Sequence, residues 1–309
     1  MARSPQELQA QVQGLLDFVH TPFTEANDVD LERFCEHLRH VQNDFPDSPS
    51  SYFVCCGTGE FWSLDLQEYV DLVGAAVDTV GDDAPVIAGV GYGTRLALEH
   101  VRAAQAQGAD GLLIFPPYLA SGPQEGLLQH YGALAAATDL GVFVYNRDNA
   151  VFAPQTVARL VEAHPNVVGL KDGYGDLERL HQVRNLLGGD FLLMNGMPSA
   201  EMYAREYTAA GIRPYSPGGI EFVPELAWRF DRALARGDER ETDRLIDGFY
   251  RPYTQLRARV PGYGVALVKA GLRLRGRPSG GVRPPLVDPS REHEVILAEL
   301  IEKALALAE

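Results

Sequence analysis

The feature that most constrains this chain is a rhythm: a short, nearly unbroken apolar run, then a stretch of helical spacing, repeated up to about residue 220. Eight such runs can be read: "GLLDFVH" from residue 14, "SYFVCC" from 51, "PVIAGV" from 85, "GLLIFP" from 111, "GVFVYN" from 141, "NVVGLK" from 166, "FLLMNG" from 191 and "IRPYSP" from 212. Between them, segments such as "LQEYVDLVGAAVDTV", "TRLALEHVRAAQAQG" and "APQTVARLVEAHP" place apolar residues three and four apart. Strands that are apolar throughout suit a sheet covered on both faces, and parallel pairing requires a crossover helix between them. The pattern predicts an α/β fold, a (β/α)8 TIM barrel, with a doubly wound open sheet as the alternative. The eighth run is the weakest, holding an arginine and two prolines.

After residue 224 helical segments follow one another without strands: "PELAWRFDRALARG", "DERETDRLIDGFYRPYTQLRARV", "GYGVALVKAGLRLRG" and "REHEVILAELIEKALALAE". No Gly/Ser-rich linker sets them apart. The expected organisation is therefore a barrel over 1–224 that carries the active site, and a C-terminal helical extension over 225–309 packed on it. "GGVRPPLVDPS" reads as a loop between the last helices.

Charge excludes some partners. With 27 Lys and Arg against 42 Asp and Glu, the formal charge of −15 disfavours nucleic acid and anionic membrane surfaces. The start, "MARSPQELQAQVQGLLDFVH", lacks the unbroken apolar core of a secretory signal, and no later stretch offers about 18 apolar residues in a row. A cytoplasmic location is expected. Cys35, Cys55 and Cys56 form neither a CxxC pair nor a disulfide framework, so buried free thiols are expected.

In a (β/α)8 barrel the site forms at the C-terminal ends of the strands, so polar residues that close an apolar run carry the functional argument. Lys171 closes the sixth run, in "NVVGLKDGYGD". Either its stem packs while its head reaches water, or it faces the barrel interior, where desolvation favours a neutral amine able to attack a ketone and form a Schiff base. Tyr145 closes the fifth run; strands about 4.8 Å apart let a phenol and an amine at equal depth reach one substrate atom. A phenol there can relay protons. Gly57 and Thr58, in "CCGTGEFWSL", make a turn whose amides and hydroxyl can meet a carboxylate, with Glu60 read as a structural acceptor for loop amides. "GVGYGT" from 89 lacks the full dinucleotide spacing and reads as a turn at the barrel mouth. His37 and His40 share a helix face, but no HExxH and no convergent acidic partner appear, and no metal site is expected. No GxSxG elbow is present.

Taken together, "GTGEFWSL", "YNRDN", "GLKDGYGD", "NGMPSAE" and "GYGVALVKAG" with "GVRPPL" resemble, in the same order, the dihydrodipicolinate synthase and N-acetylneuraminate lyase superfamily of Schiff-base barrels, and within it the 5-dehydro-4-deoxyglucarate dehydratases. The resemblance implies that Lys171 is the Schiff-base lysine and Tyr145 the proton shuttle. It implies that Gly57 and Thr58 hold an α-keto carboxylate, and that Gly196, Ser199 and Ser216 line the distal pocket. It further implies a keto sugar acid as substrate, no cofactor, and a homo-oligomer, either a tetramer or a dimer. The implied reaction is dehydration and decarboxylation of 5-dehydro-4-deoxy-D-glucarate. Its rivals are a pyruvate-dependent aldolase or synthase on the same barrel, and a non-catalytic sugar-acid-binding barrel.

Departures mark where the likeness thins. Gly57 replaces the first threonine of the synthase "GTTGE" turn, Leu119 falls where the synthase has a tyrosine reached across a subunit interface, and Ala150 lies near its substrate-binding arginine. Where the dehydratases would read something like "YSSAVFNF", this chain has "YSPGGIEF", which introduces Pro217 and Glu221.

Overall fold

The computed structural model describes residues 2–44 and 49–309. Seven strands, β1 (Asp17–Phe18), β2 (Tyr52–Val54), β3 (Val86–Val90), β4 (Gly111–Ile114), β5 (Gly141–Asn146), β6 (Val167–Asp172) and β7 (Leu192–Asn195), pair in chain order, every pair parallel. The eighth run does not form a strand. Its residues still close the ring, because Tyr215 bridges Asn195 on one side and Leu15 on the other. Tyr215 donates its N–H to Gly14 O (2.9 Å) and accepts from Leu16 N–H (3.0 Å). Pro214 and Pro217, which have no N–H to give, confine the crossing to a single rung.

The helices are α1 (Pro5–Gln11), α2 (Leu31–Asp44), α3 (Leu66–Val80), α4 (Thr94–Ala106), α5 (Gln124–Ala135), α6 (Pro154–Ala163), α7 (Leu177–Leu187) and α8 (Ala204–Ala209), followed by α9 (Pro224–Arg236), α10 (Glu239–Leu245), α11 (Arg251–Arg257), α12 (Tyr263–Leu274) and α13 (Arg291–Ala308). A π-helical turn, Ile246–Tyr250, joins α10 to α11. Several starts are written locally: Ser4 with Glu7 and Asp65 with Glu68 form capping boxes on α1 and α3.

The packing divides into three cores. Between sheet and helices lies a large one, including Val54, Leu72, Ile114, Leu134, Val144 and Leu170. Inside the ring a smaller one holds Leu8, Phe53, Ile87, Leu113, Phe143, Tyr145 and Met194. Leu8 of α1 plugs the N-terminal end, and a Cβ at Gly111 or Gly141 would stand 2.5 or 2.6 Å from its methyl. The third core joins Ala200, Tyr215 and Phe222 to the helices from α9 onward, without a gap between them.

Two expectations need correction. Cys55 and Cys56 are buried free thiols, but Cys35, also free, is half-exposed. His37 does have an acidic partner: Glu221, at 3.2 Å, reached from the far side of the chain. His40 instead pairs with Asp44 one helical turn on, also at 3.2 Å.

Candidate active site

A β-bulge sets the site. The register between β5 and β6 shifts between Val142 and Phe143, so that Phe143 faces Gly169 and Tyr145 faces Lys171. Lys171 then turns into the ring rather than out to water, and its side chain is 4% exposed. Its Nζ lies 4.1 Å from the centroid of the Tyr145 ring and 4.3 Å from that of Phe18. The solvated-lysine reading is thereby set aside.

Two glycines make the room. A Cβ at Gly196 would come within 2.6 Å of Lys171 Cγ and 3.0 Å of its Nζ, and one at Gly173 within 3.0 Å of the Tyr145 ring. The neighbouring carboxylate is turned away. Asp172 accepts from Asn146 Nδ2 (2.7 Å), Gly175 N–H (3.0 Å) and the Tyr207 hydroxyl (2.5 Å), so it pins the loop after β6. Among the described residues Lys171 belongs to no ion pair within 4.0 Å.

The Tyr145 hydroxyl donates to Gly196 O (3.0 Å) and accepts weakly from Arg147 Nη1 (3.4 Å). Burial raises this phenol, but Lys171 and Arg147 beside it outweigh burial and hold it below its ordinary value. A phenol so placed next to an amine is suited to proton exchange.

Lys171, Tyr145, Gly57, Thr58, Gly196, Ser199 and Ser216 all line one cavity of about 780 Å³. Position 57 opens onto space, since a Cβ there would meet nothing within 4 Å. Ser199 stands in left-handed backbone (φ 57°) and accepts from Arg257 Nη1 at 3.2 Å. Glu60 is not in the cavity wall. It is fully buried, accepts the Arg283 N–H (2.9 Å) and pairs with Lys269 at 2.6 Å, the structural acceptor expected. The "GVGYGT" turn contributes Gly91 and Tyr92 to the rim, and the departures Pro217, Glu221 and Leu119 lie in the same wall.

Sequence reasoning missed the two guanidinium groups of the cavity, Arg147 and Arg257. Arg147 had a signal, because it follows Tyr145 by two and strand alternation puts both on one side. Arg257 had none. It comes from the end of α11 and rests against Gly264, where a Cβ would stand 2.9 Å from its Nη2.

A parallel α/β barrel whose inward lysine faces a tyrosine at the C-terminal strand ends defines the class of lysine-bearing lyase and aldolase barrels. The chain belongs to the Dihydrodipicolinate synthetase family, whose sequence profile matches residues 11–304. It is 46% identical over 298 residues to a Streptomyces avermitilis protein named "Probable 5-dehydro-4-deoxyglucarate dehydratase 1", covering 95% of this chain and 94% of that one. A Rhizobium rhizogenes protein named "Probable 5-dehydro-4-deoxyglucarate dehydratase" is 42% identical over 304 residues, covering 98% and 99%. Among solved structures, the 4-hydroxy-tetrahydrodipicolinate synthase of Methylacidiphilum fumariolicum superposes with a TM-score of 0.84 at 25% identity, over 96% of this chain and 97% of that one.

Proposed function

We propose that this chain is a Schiff-base hydro-lyase that dehydrates and decarboxylates 5-dehydro-4-deoxy-D-glucarate to 2,5-dioxopentanoate, carbon dioxide and water. The observation that carries the reading is Lys171: inward, 4% exposed, without a carboxylate partner among the described residues and stacked on the ring of Tyr145. The relatives named as dehydratases over nearly the whole chain supply the substrate class.

The chemistry follows from electron flow. Lys171 Nζ attacks the C5 ketone, water leaves, and the protonated imine acidifies the C4 hydrogens. Tyr145 accepts the C4 proton, with Arg147 holding its oxygen, and the C3 hydroxyl departs as water to give a C3=C4 bond conjugated with the imine. Breaking the C1–C2 bond then releases carbon dioxide and sends its electron pair through C2 and C3 into the imine. Protonation at C4 and tautomerisation of the C2 enol, which gains a proton at C3, yield the aldehyde; hydrolysis returns the amine.

Gly57 and Thr58 receive the C6 carboxylate beside the ketone. Gly196, Ser199 and Ser216 line the distal half, where Arg257 meets the C1 carboxylate. A cation there holds the carboxylate more tightly before carbon dioxide leaves than after, so Arg257 serves binding and orientation rather than bond cleavage. Residues 1–224 carry the reacting groups, and 225–309 roof the cavity through α11 and α12.

The exposed pair Tyr118 and Leu119 at the rim, 65% and 84% accessible, supports a homo-oligomer in which a second copy covers them. No helix of the described residues is long and apolar enough to cross a membrane, and the proposed location is the cytoplasm. The test is carbon dioxide release from 5-dehydro-4-deoxyglucarate, with mass spectrometry after borohydride quenching. A C5 product with an adduct on Lys171 supports the dehydratase. Free pyruvate would point to an aldolase, and an unchanged protein mass would end the Schiff-base reading.

A further inference from the structure

One cluster of metal-ligating side chains among the described residues lies outside the Schiff-base machinery: His20, His37 and Glu221, all buried. Three separate parts of the chain supply it. His20 follows the end of β1, His37 sits on the inner face of α2, and Glu221 comes from the segment after the barrel-closing rung at Tyr215. One ligand atom from each lies within 4.8 Å of the others. Glu221 Oε2 faces His20 Nδ1, and its Oε1 is 3.2 Å from His37 Nε2. The imidazoles meet edge to face, with centroids 4.7 Å apart.

A second observation points at the same place. Asp17, on β1, is completely buried, and among the described residues neither of its carboxyl oxygens accepts a hydrogen bond. Glu221 lies beside it. Two carboxyl groups therefore share one dry site. The nearby cations are committed elsewhere: Lys269 to Glu60 (2.6 Å) and Gly281 O (2.8 Å), Arg277 to the backbone oxygen of Glu221 (3.4 Å). Glu221 therefore has the two imidazoles as its partners.

We propose that His20, His37 and Glu221 bind a divalent transition-metal ion of the zinc class, with water completing its coordination. Two imidazole nitrogens and one carboxylate are a donor set for zinc and its first-row neighbours rather than for calcium or magnesium, which prefer all-oxygen sites. Glu221 also lines the catalytic cavity, which gives the ion a route in. Bound there, the ion ties β1, α2 and the 217–222 segment together behind the distal wall, apart from Lys171.

The experiment uses the full chain, stripped with a chelator and then exposed to Zn2+ or Co2+ alone. About one equivalent of Zn2+ should survive dialysis, and the Co2+ form should show the intense visible bands of a tetrahedral site. The melting temperature should rise with added metal. His37→Ala and Glu221→Gln should each weaken uptake by more than about tenfold, whereas His40→Ala, which alters the surface pair with Asp44, should leave it unchanged. Absence of stoichiometric uptake by the unaltered protein would mean that protons alone hold the cluster, and would overturn the proposal. So would uptake lost in His40→Ala but kept in His37→Ala. Because the wild-type cobalt spectrum needs no variant, a poorly folded variant does not rescue the idea, and none of these readouts depends on the lyase reaction.

Discussion

Tyr145 and Lys171 stand directly opposite each other across β5 and β6, and the Lys171 Nζ lies 4.1 Å from the phenol ring centroid. Tyr145→Phe keeps the ring, with its stacking on Lys171 and its packing against Phe115 at 6.1 Å, and removes only the hydroxyl. The expected loss in kcat is about 10²–10⁴-fold, the usual span for one positioned acid–base group. Melting should be little altered. Steady-state carbon dioxide release alongside a thermal scan checks this; an undiminished kcat would remove Tyr145 from proton transfer.

Gly196→Ala tests the seat of the amine. The new Cβ would stand 2.6 Å from Lys171 Cγ and 2.9 Å from its Cε, so the lysine must swing away from the substrate carbonyl. Misplacement of a reacting atom by about 1 Å costs on the order of 100-fold in rate. Borohydride trapping should slow in proportion. Trapping at the wild-type rate would show that the glycine is not what positions the amine.

These two residues also show how much was legible. Lys171 and Tyr145 close apolar runs, and strand geometry alone brings such positions together at the barrel mouth, so local pattern was enough to pair them. The eighth run was harder, because its two prolines reduce a strand to one rung at Tyr215 that only the closed ring can supply. The His20, His37 and Glu221 cluster was unreadable in principle: its members come from parts of the chain about 17 and 184 positions apart. Arg257 was hidden for the same reason, reaching the cavity from a helix beyond the repeating βα pattern.

Arg257 is the cavity's guanidinium with no carboxylate partner within 4.0 Å among the described residues, and it is held by Gly264 and Ser199. Arg257→Ala should raise KM for the dicarboxylate, lowering kcat/KM by roughly 10–100-fold, the worth of one charge-assisted hydrogen bond. kcat should change less than KM. Imine formation with a short monocarboxylate keto acid, which has no distal carboxylate, should be unaffected. Equal losses for both acids would argue against a distal contact.

Glu201 gives a pH dependence whose sign can be fixed. It is buried; its Oε1 accepts the Gly218 N–H at 2.8 Å while its Oε2 has no hydrogen-bond partner among the described residues. Burial raises its pKa from 4.5 to about 7. The folded state thus holds this proton more tightly than the unfolded chain does, so the contribution is full below pH 4.5 and is lost as pH rises through about 7. The whole effect is on the order of 3 kcal/mol. Glu201→Gln should flatten that decline, so that its urea midpoint exceeds the wild-type midpoint above neutrality and not at pH 5. Parallel curves for the two proteins would rule this out.

The Glu60–Lys269 pair, 2.6 Å apart and fully buried, ties the turn after β2 to α12. Glu60 also accepts the Arg283 N–H at 2.9 Å, while Lys269 donates to Gly281 O at 2.8 Å and packs its Nζ 3.9 Å from the centre of the Phe23 ring. Taking both charges out of water is expensive, and their attraction roughly returns that cost. Removing one partner is therefore worse than removing both. Lys269→Met leaves a bare carboxylate in a dry site and should cost about 3–5 kcal/mol. Adding Glu60→Gln removes the stranded charge while keeping an acceptor for Arg283, so the double variant should recover much of that loss. Urea unfolding of the four proteins in the cycle measures the coupling. A double variant no more stable than Lys269→Met would mean that the carboxylate, once unpaired, is relieved by some route other than its partner, and that the pair is not what fastens α12 over the cavity.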